Sequence, residues 1–288
     1  MADAVHWSER EDSLRALVAE PHFGVLSDFD GTLSHFAERP DAAVMTPENI
    51  AALDRLAASG AVVALLSGRS ASDLRVRFPR PNVTYFGNHG LDYWDGTAVT
   101  IVEEARPWQT ALETLLAEVG PFSDPHVLIE NKGVTATVHY RATADPLAAS
   151  VEIAARLEPL CERYGLQLNR GSQVWEIKPP LALNKGTALA AVINQFGLAS
   201  VIFLGDDTTD LLAMAELRRL RAMDDEDEGV VPLRGLSVGV IHGLGSPKEL
   251  RDFCDIIANG PDDVARLLTW LAEQRATMPA AAVDHQGV

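Results

Sequence analysis

The chain has 288 residues, of which 47% are hydrophobic and 23% charged, a balance typical of globular proteins rather than disordered chains. Its formal net charge of −17 opposes binding to nucleic acid or to an anionic membrane surface. Two cysteines are too few for a disulfide framework or a zinc cluster, so we expect Cys161 and Cys254 to be buried as small apolar side chains.

The N-terminal residues MADAVHWSEREDSL carry acids where a secretory signal needs an apolar stretch. No apolar run reaches the roughly 18 residues of a membrane helix. We therefore expect a cytoplasmic monomer that acts on a small molecule and has no nucleic-acid or membrane partner.

Helix and strand signals alternate through much of the chain, which predicts an α/β fold with a mainly parallel sheet. Ser8 and Glu11 form a capping-box pattern at the start of a first helix. The apolar run 23–27 ends in carboxylates and glycine, as a buried parallel strand does at a site. Thr46 then precedes a proline and an apolar-periodic helix that Gly60 ends.

Three later apolar runs, AVVALL, NVTYFG and SVIFLG, also end in polar residues. Parallel strands present their carboxyl ends at one edge of a sheet, so these polar clusters predict a single crevice there.

Between about Leu91 and Pro180 the strand-helix rhythm gives way to alternating strands and turns. This predicts an inserted ββαββ domain over 106–179. The flanking segments, 1–105 and 180–288, would form one core, with a flexible tail from about 279.

Turn and cap signals place the elements of this insert. Lys132 and Gly133 separate its first two strands, and Asp145 begins a helix that runs to about Tyr164, before Gly165. The apolar residues of the second strand alternate and should share one buried face: Val134, Ala136, Val138 and Tyr140.

Asp28 and Asp30, in the segment DFDGT, place two carboxylates one residue apart where a strand becomes a turn. Such clusters are often only turn chemistry. A turn does not need both acids, whereas phosphoryl transfer can use one as nucleophile and the other as general acid and base.

Asp206, Asp207 and Asp210 follow the run SVIFLG. Capping of a helix start explains one or two such acids. Three exceed that need and suggest oxygen ligands for Mg²⁺, which would relieve the repulsion between a carboxylate and a phosphate.

Ser67 and Lys185 are candidate phosphate contacts. Ser67 begins the SGRS segment after a strand and offers a hydroxyl and backbone N–H groups, although an ordinary loop explains it equally well. Lys185 lies at a helix start, where its charge is slightly unfavourable to the helix dipole, so a functional use is favoured.

In this order, the four motifs resemble those of the haloacid dehalogenase (HAD) superfamily. The resemblance implies a Rossmann-like core with an inserted α+β cap of the ββαββ, C2B type. It implies that Asp28 is the nucleophile, that Asp30 is the general acid and base, and that Ser67 and Lys185 contact the phosphate. The implied Mg²⁺ ligands are Asp28, Asp30 (through its backbone carbonyl), Asp206 and, through water or by orienting other ligands, Asp210.

Several segments are similar to the trehalose-6-phosphate phosphatase family: LSGRS, GNHGLDYW, ENKGVTATVHYR, VWEIKPP with NKGTAL, and LGDDTTD. This implies hydrolysis of trehalose 6-phosphate through an aspartyl-phosphate. The implied sugar contacts are Glu130, Lys132, Arg141 and Glu176 in the cap, with Arg69, Asn88 and His89 on the core side. A solvated strand face also explains the cap residues, and His139 and Tyr140 are expected to be structural.

The chain departs from this family at Leu211 and Leu212, where acidic residues are common, and at Leu91 and Asp92, where glutamate is more usual. Other sugar phosphates, such as sucrose phosphate or mannosyl-phosphoglycerate, remain alternative substrates. A phosphomutase or a catalytically silent sugar-binding regulator are further alternatives.

Overall fold

A computed structural model describes residues 4–37, 40–223, 232–243 and 246–277. Contacts divide these residues into two compact units. The first unit comprises the described residues up to Gly90 and from Leu183 onward, and the second comprises Leu91–Ala182. The tail expected from about 279 lies outside the described residues.

The first unit holds seven strands and seven helices among its described residues. The strands are β1 (Val5–His6), β2 (Phe23–Ser27), β3 (Val62–Leu66), β4 (Val83–Gly87), β11 (Ser200–Gly205), β12 (Arg234–Val240) and β13 (Ile256–Ala258). The helices are α1 (Glu11–Val18), α2 (Pro47–Ala58), α3 (Ala71–Arg77), α6 (Lys185–Phe196), α7 (Asp210–Ala222), α8 (Lys248–Phe253) and α9 (Gly260–Ala276).

The second unit holds the intervening elements. Its strands are β5 (Asp92–Trp94), β6 (Val99–Ile101), β7 (Leu128–Asn131), β8 (Ala136–His139), β9 (Gln167–Arg170) and β10 (Val174–Lys178). Its helices are α4 (Pro107–Glu118) and α5 (Pro146–Tyr164).

The seven strands of the first unit are hydrogen-bonded in the order β1-β13-β12-β11-β2-β3-β4, and each described pair is parallel. The chain leaves β2 toward β3 and β4, then returns to the other side of β2 as β11. Strand order therefore reverses between β2 and β11, and ligands bind at the carboxyl end of such a switch point.

The core of the first unit is built from apolar strands that are covered by helices. Strand β2 is buried along its whole length, as is β11, in keeping with a parallel sheet protected on both faces. Helices α1 and α2 both pack against α9, and α7 packs against α6 and α8. The predicted α/β class with a mainly parallel sheet is confirmed.

The second unit contains an antiparallel sheet in the order β7-β8-β10-β9 and a separate β5–β6 hairpin. The predicted ββαββ arrangement is confirmed, with α5 as its helix. The predicted face of β8 is also confirmed, since Ala136, Val138 and Tyr140 are buried against residues of α4 and α5.

Helix α4 is absent from the sequence prediction. It begins at Pro107, which suits a first helical position, but Arg106 before it makes no side-chain capping hydrogen bond, so the Ser, Thr, Asp or Asn that marks most helix starts is missing. Its Leu112 and Leu115 are fully buried in the core of the second unit.

The predicted helix caps are present at α2 and α5 but not at α1. Thr46 caps α2 as predicted, and Asp145 caps α5, which ends at a left-handed Gly165. The capping box at Ser8 is wrong. Residues 7–10 form a 3-10 helix in which the His6 side chain accepts from the N–H of Ser8, and the α-helix begins only at Glu11.

Both cysteines are free and buried, as expected. Among the described residues, none of the helices is both long and apolar enough to span a bilayer.

Candidate active site

Three buried carboxylates meet at the switch point of the sheet. Asp28 follows β2, Asp206 follows the adjacent β11, and Asp210 opens α7. They are 4%, 4% and 0% exposed, and one oxygen from each lies within 4.8 Å of the others. The N–H of Asp28 donates to the carbonyl of Leu204 at 2.9 Å, which ties the two strand ends together. We call Asp28, Asp206 and Asp210 the acid cluster.

Asp210 holds the turn after β11 in place. Its Oδ2 accepts hydrogen bonds from the backbone N–H groups of Asp206 at 3.0 Å and Asp207 at 3.1 Å. A Cβ on Gly205 would lie 2.3 Å from Cγ of Asp210. The glycine of LGDD is therefore required for the carboxylate to approach the backbone this closely.

Lys185 is a buried cation in direct contact with two members of the acid cluster. Its Nζ lies 2.9 Å from Oδ1 of Asp28 and donates to Oδ1 of Asp210 at 2.7 Å. Asn184 caps α6 through the N–H groups of Gly186 and Thr187, which places Lys185 at the first position of the helix. Burial alone would lower the pKa of Lys185, but Asp210 and Asp28 together raise it, so the ammonium stays charged.

Burial raises the pKa values of all three acids above the ordinary value of a carboxylate. It raises the pKa of Asp28 to about 7, with Lys185 opposing the shift, and the pKa of Asp206 to about 9, with Asp28 and Asp210 adding to it. The pKa of Asp210 is also raised, chiefly by burial. When all three acids are ionised, their summed negative charge exceeds what the one ammonium neutralises.

The acid cluster fits a hard divalent cation. All of its ligand atoms are oxygens, which Mg²⁺ prefers. Oδ1 of Asp28 is buried and has the Lys185 ammonium at 2.9 Å but no regular hydrogen bond. An ion of charge +2 would balance the negative charge of the three ionised acids and give this oxygen a further partner.

Thr32, Gly31 and His242 surround Asp206, and the sequence predictions assign none of them a role. Thr32 Oγ1 donates to Oδ1 of Asp206 at 3.2 Å. Gly31 has φ +76°, and a Cβ there would lie 2.2 Å from Oδ2 of Asp206. His242 Nε2 lies 3.6 Å from the same oxygen. The DFDGT segment carried the signal for Gly31 and Thr32, whereas His242 lies in no recognisable motif.

Asp30 points to Arg69 rather than into the acid cluster. Arg69 donates from Nε to Oδ2 at 2.6 Å and from Nη2 to Oδ1 at 2.7 Å, a bidentate pair. Nη1 of Arg69 also donates to Asp73 at 2.7 Å, and Asp73 accepts from Arg77. Arg69, predicted to contact sugar, thus orients Asp30 in this structure.

Ser67, Asn88 and His89 lie in two loops that follow the adjacent strands β3 and β4. The N–H of His89 donates to the carbonyl of Ser67 at 2.9 Å, and the N–H of Asn88 donates to the carbonyl of Arg69 at 2.7 Å. Asn88 and His89 have positive φ, +50° and +58°, and such strain persists where surrounding contacts enforce it. The imidazole of His89 covers Gly68, where a Cβ would lie 2.7 Å from its ring.

The four predicted cap residues lie in the second unit. Glu130 and Glu176 both pair with Thr137 across the sheet, so they share the face opposite the buried Val138 and Ile177. Glu130 Oε2 lies 2.9 Å from His139 Nε2 and 3.9 Å from Lys132 Nζ.

Arg141 is placed differently. Its Nε donates to Oε1 of Gln173 at 3.0 Å, and the pair is exposed. Within the second unit, the structure thus gathers Glu130, Lys132 and Glu176 on one sheet face and leaves Arg141 in a separate contact.

Comparison with known proteins gives a consistent picture. The trehalose-phosphatase family profile matches residues 26–229. A trehalose-phosphate phosphatase of Mycobacterium marinum is 35% identical over 226 residues, which cover 71% of this chain and 55% of that protein. Another from Mycobacterium bovis is 32% identical over 278 residues, covering 87% of this chain and 66% of that protein. The chain therefore spans only about half to two thirds of these relatives.

Solved structures share the fold. The C-terminal domain of a Candida albicans trehalose-6-phosphate phosphatase superposes with a TM-score of 0.73 at 21% identity, covering 94% of this chain and 98% of that one. A haloacid dehalogenase-like hydrolase from Bacteroides thetaiotaomicron gives a TM-score of 0.58 at 15% identity, covering 87% and 99%. The predicted HAD-type core with an inserted α+β unit is confirmed.

Proposed function

The chain belongs to the trehalose-phosphatase family, and we propose that it hydrolyses trehalose 6-phosphate to trehalose and phosphate. The observation that carries this proposal is the acid cluster at the switch point, with Asp28 held 2.9 Å from the buried ammonium of Lys185. A carboxylate beside a fixed cation, at the carboxyl edge of a parallel sheet, is suited to attack a bound phosphate.

In the first step, an oxygen of Asp28 attacks phosphorus and the bond from phosphorus to the sugar oxygen breaks. Asp30 gives its proton to that oxygen, and trehalose leaves. Both oxygens of Asp30 accept from Arg69, so this pair must open before Asp30 can carry the proton. Lys185 and the hydroxyl and N–H groups around Ser67 hold the phosphate oxygens.

In the second step, Asp30 takes a proton from water, and the water oxygen attacks phosphorus. The bond between phosphorus and Asp28 breaks, releasing inorganic phosphate and restoring the carboxylate. Asp28 thus forms an aspartyl-phosphate that lasts for part of each turnover.

Asp28 and Asp206, with the backbone carbonyl of Asp30, would hold Mg²⁺, and Asp210 would bind it through water or orient its ligands. When bound, the ion would neutralise the negative charges of the carboxylates and of the phosphate. Thr32 orients Asp206, and Asp210 keeps the turn after β11 fixed.

Glu130, Lys132, Arg141 and Glu176 would recognise the sugar hydroxyls, and Asn88 and His89 would line the core side. The shared sheet face of Glu130, Lys132 and Glu176 supports this, because carboxylates accept from paired hydroxyls and a lysine donates. A role for the second unit as a cap, a cytoplasmic location and a monomeric state remain predictions.

Phosphate release tests the proposal. Wild type, Asp28→Asn and the control Asp12→Asn, which changes an exposed carboxylate, are assayed with trehalose 6-phosphate, glucose 6-phosphate and sucrose phosphate, with Mg²⁺ or with EDTA. We expect Mg²⁺-dependent release, greatest from trehalose 6-phosphate, in wild type and the control, and none in Asp28→Asn.

Each alternative gives a different result. Faster phosphate release from another sugar phosphate would show that this compound, and not trehalose 6-phosphate, is the substrate. Transfer of phosphate to a sugar without release of inorganic phosphate would indicate a mutase. Substantial turnover by Asp28→Asn would refute the nucleophile assignment.

A further inference from the structure

Phe36 is an exposed aromatic residue beside the acid cluster. It is 66% exposed. A Cβ built on Gly31 would lie 2.8 Å from Cζ of Phe36 and 2.2 Å from Oδ2 of Asp206. The tip of the ring and the Asp206 carboxylate therefore flank the same α-carbon, so an exposed aromatic ring lies next to a member of the acid cluster.

The ring is held from one side. The rings of Phe36 and His242 lie 4.7 Å apart between centroids and are inclined by 55°, a favourable tilted contact. His242 is itself positioned by its backbone N–H, which donates to Oγ of Ser246 at 2.7 Å, and its Nε2 lies 3.6 Å from Oδ2 of Asp206. The preceding Leu33 and Ser34 are fully buried, which anchors the segment that carries Phe36.

Single exposed apolar side chains are common on protein surfaces and need no explanation by themselves. Burying a phenylalanine side chain stabilises a folded protein, however, and this ring forgoes most of that stabilisation at a position next to the reacting groups. Binding pockets use aromatic side chains in just this way, as apolar walls beside a few polar groups.

We propose that Phe36 contacts the sugar ring that carries the phosphate, through the C–H bonds on one face of a pyranose. An aromatic face is electron-rich and attracts such weakly positive hydrogens, and a pyranose offers several on one side. With the phosphate held by Lys185 and Ser67, the attached sugar must extend from the buried acid cluster toward solvent, where the exposed ring of Phe36 can meet it. The inference rests on the proposed function and adds a specificity determinant on the core side of the site.

The test compares a sugar substrate with a ligand that has no sugar. Steady-state kinetics with trehalose 6-phosphate, and competitive inhibition by inorganic phosphate, are measured for wild type, Phe36→Ala, Phe36→Leu and Phe36→Tyr. We expect Phe36→Ala to raise KM for trehalose 6-phosphate roughly tenfold and to change kcat less than about twofold. Inhibition by phosphate should be the same as in wild type. The KM of Phe36→Tyr should be close to that of wild type, and the KM of Phe36→Leu should lie between those of wild type and Phe36→Ala.

An unchanged KM in Phe36→Ala would overturn the inference. So would an equal loss of phosphate binding, because the ring would then act by shaping the acid cluster through Gly31. Thermal unfolding of each variant verifies that the fold is kept. If wild type hydrolyses a different sugar phosphate, the proposed function fails, and the same comparison with that substrate still decides the role of Phe36.

Discussion

Replacing Asp210 with asparagine removes one charge beside Lys185 and keeps the shape of the side chain. Asp210 is fully buried and accepts from Nζ of Lys185 at 2.7 Å and from the N–H groups of Asp206 and Asp207 at 3.0 and 3.1 Å. An asparagine oxygen can still accept from both N–H groups. Its NH₂ then faces the ammonium, so two donors meet in the protein interior.

Removing one partner of a buried ion pair costs about 3–5 kcal/mol. Lys185 keeps Asp28 at 2.9 Å, and neutralising Asp210 also relieves its repulsion of Asp206, so we expect a smaller loss of about 2 kcal/mol. A chain of this size loses roughly 2–4 °C of Tm per kcal/mol, so Tm should fall by roughly 4–8 °C.

A double-mutant cycle with Lys185→Met isolates the pair. The free energy of unfolding is measured by urea denaturation in EDTA for wild type, Asp210→Asn, Lys185→Met and the double variant. We expect a coupling energy of at least about 1.5 kcal/mol. Single-variant losses that add to within about 0.5 kcal/mol would show that the pair contributes no net interaction, and would refute the reasoning.

Three further predictions concern stability and geometry. In EDTA, Tm should fall as pH rises from about 4 toward 9. The folded protein holds protons on Asp28 and Asp206 up to pKa values of about 7 and about 9, whereas the unfolded chain releases these protons near pH 4. Saturating Mg²⁺ should flatten this pH dependence of Tm, and a flat profile in EDTA would contradict the prediction. Gly205→Ala should lower kcat at least about 100-fold while circular dichroism stays native, because the added Cβ would lie 2.3 Å from Cγ of Asp210. Arg275→Met should cost about 2–4 kcal/mol in urea denaturation and leave kcat unchanged, because the carbonyls of Val18, Glu20 and Pro21 lose their buried donor.

Elements with strong local signals were predictable from the sequence. The carboxylate-ending runs at Asp28 and Asp206 are buried parallel strands because apolar residues fill both faces of a covered sheet. Asp145 and Gly165 delimit α5 through cap chemistry that acts within a few residues. Helix α4 was missed because tertiary packing of Leu112 and Leu115, not a capping signal, sustains it.

Within the site, the sequence predicted which residue types carry the chemistry but not how they pair. Motif order pointed to Asp28, Lys185 and Asp206, and their proximity follows from the adjacency of β2 and β11. The bidentate hold of Arg69 on Asp30 joins residues 39 positions apart, and no spacing rule predicts such a contact. His242 reaches Asp206 from a loop without a motif for the same reason.

The most direct test of the account asks where the phosphoryl group resides during turnover. Wild type is mixed with trehalose 6-phosphate and Mg²⁺, quenched with acid and reduced with borohydride, which converts an aspartyl-phosphate to homoserine, and the modified residue is located by peptide mass spectrometry. The account predicts homoserine at position 28 and nowhere else. Turnover without modification at that position, or homoserine at another aspartate, would contradict it.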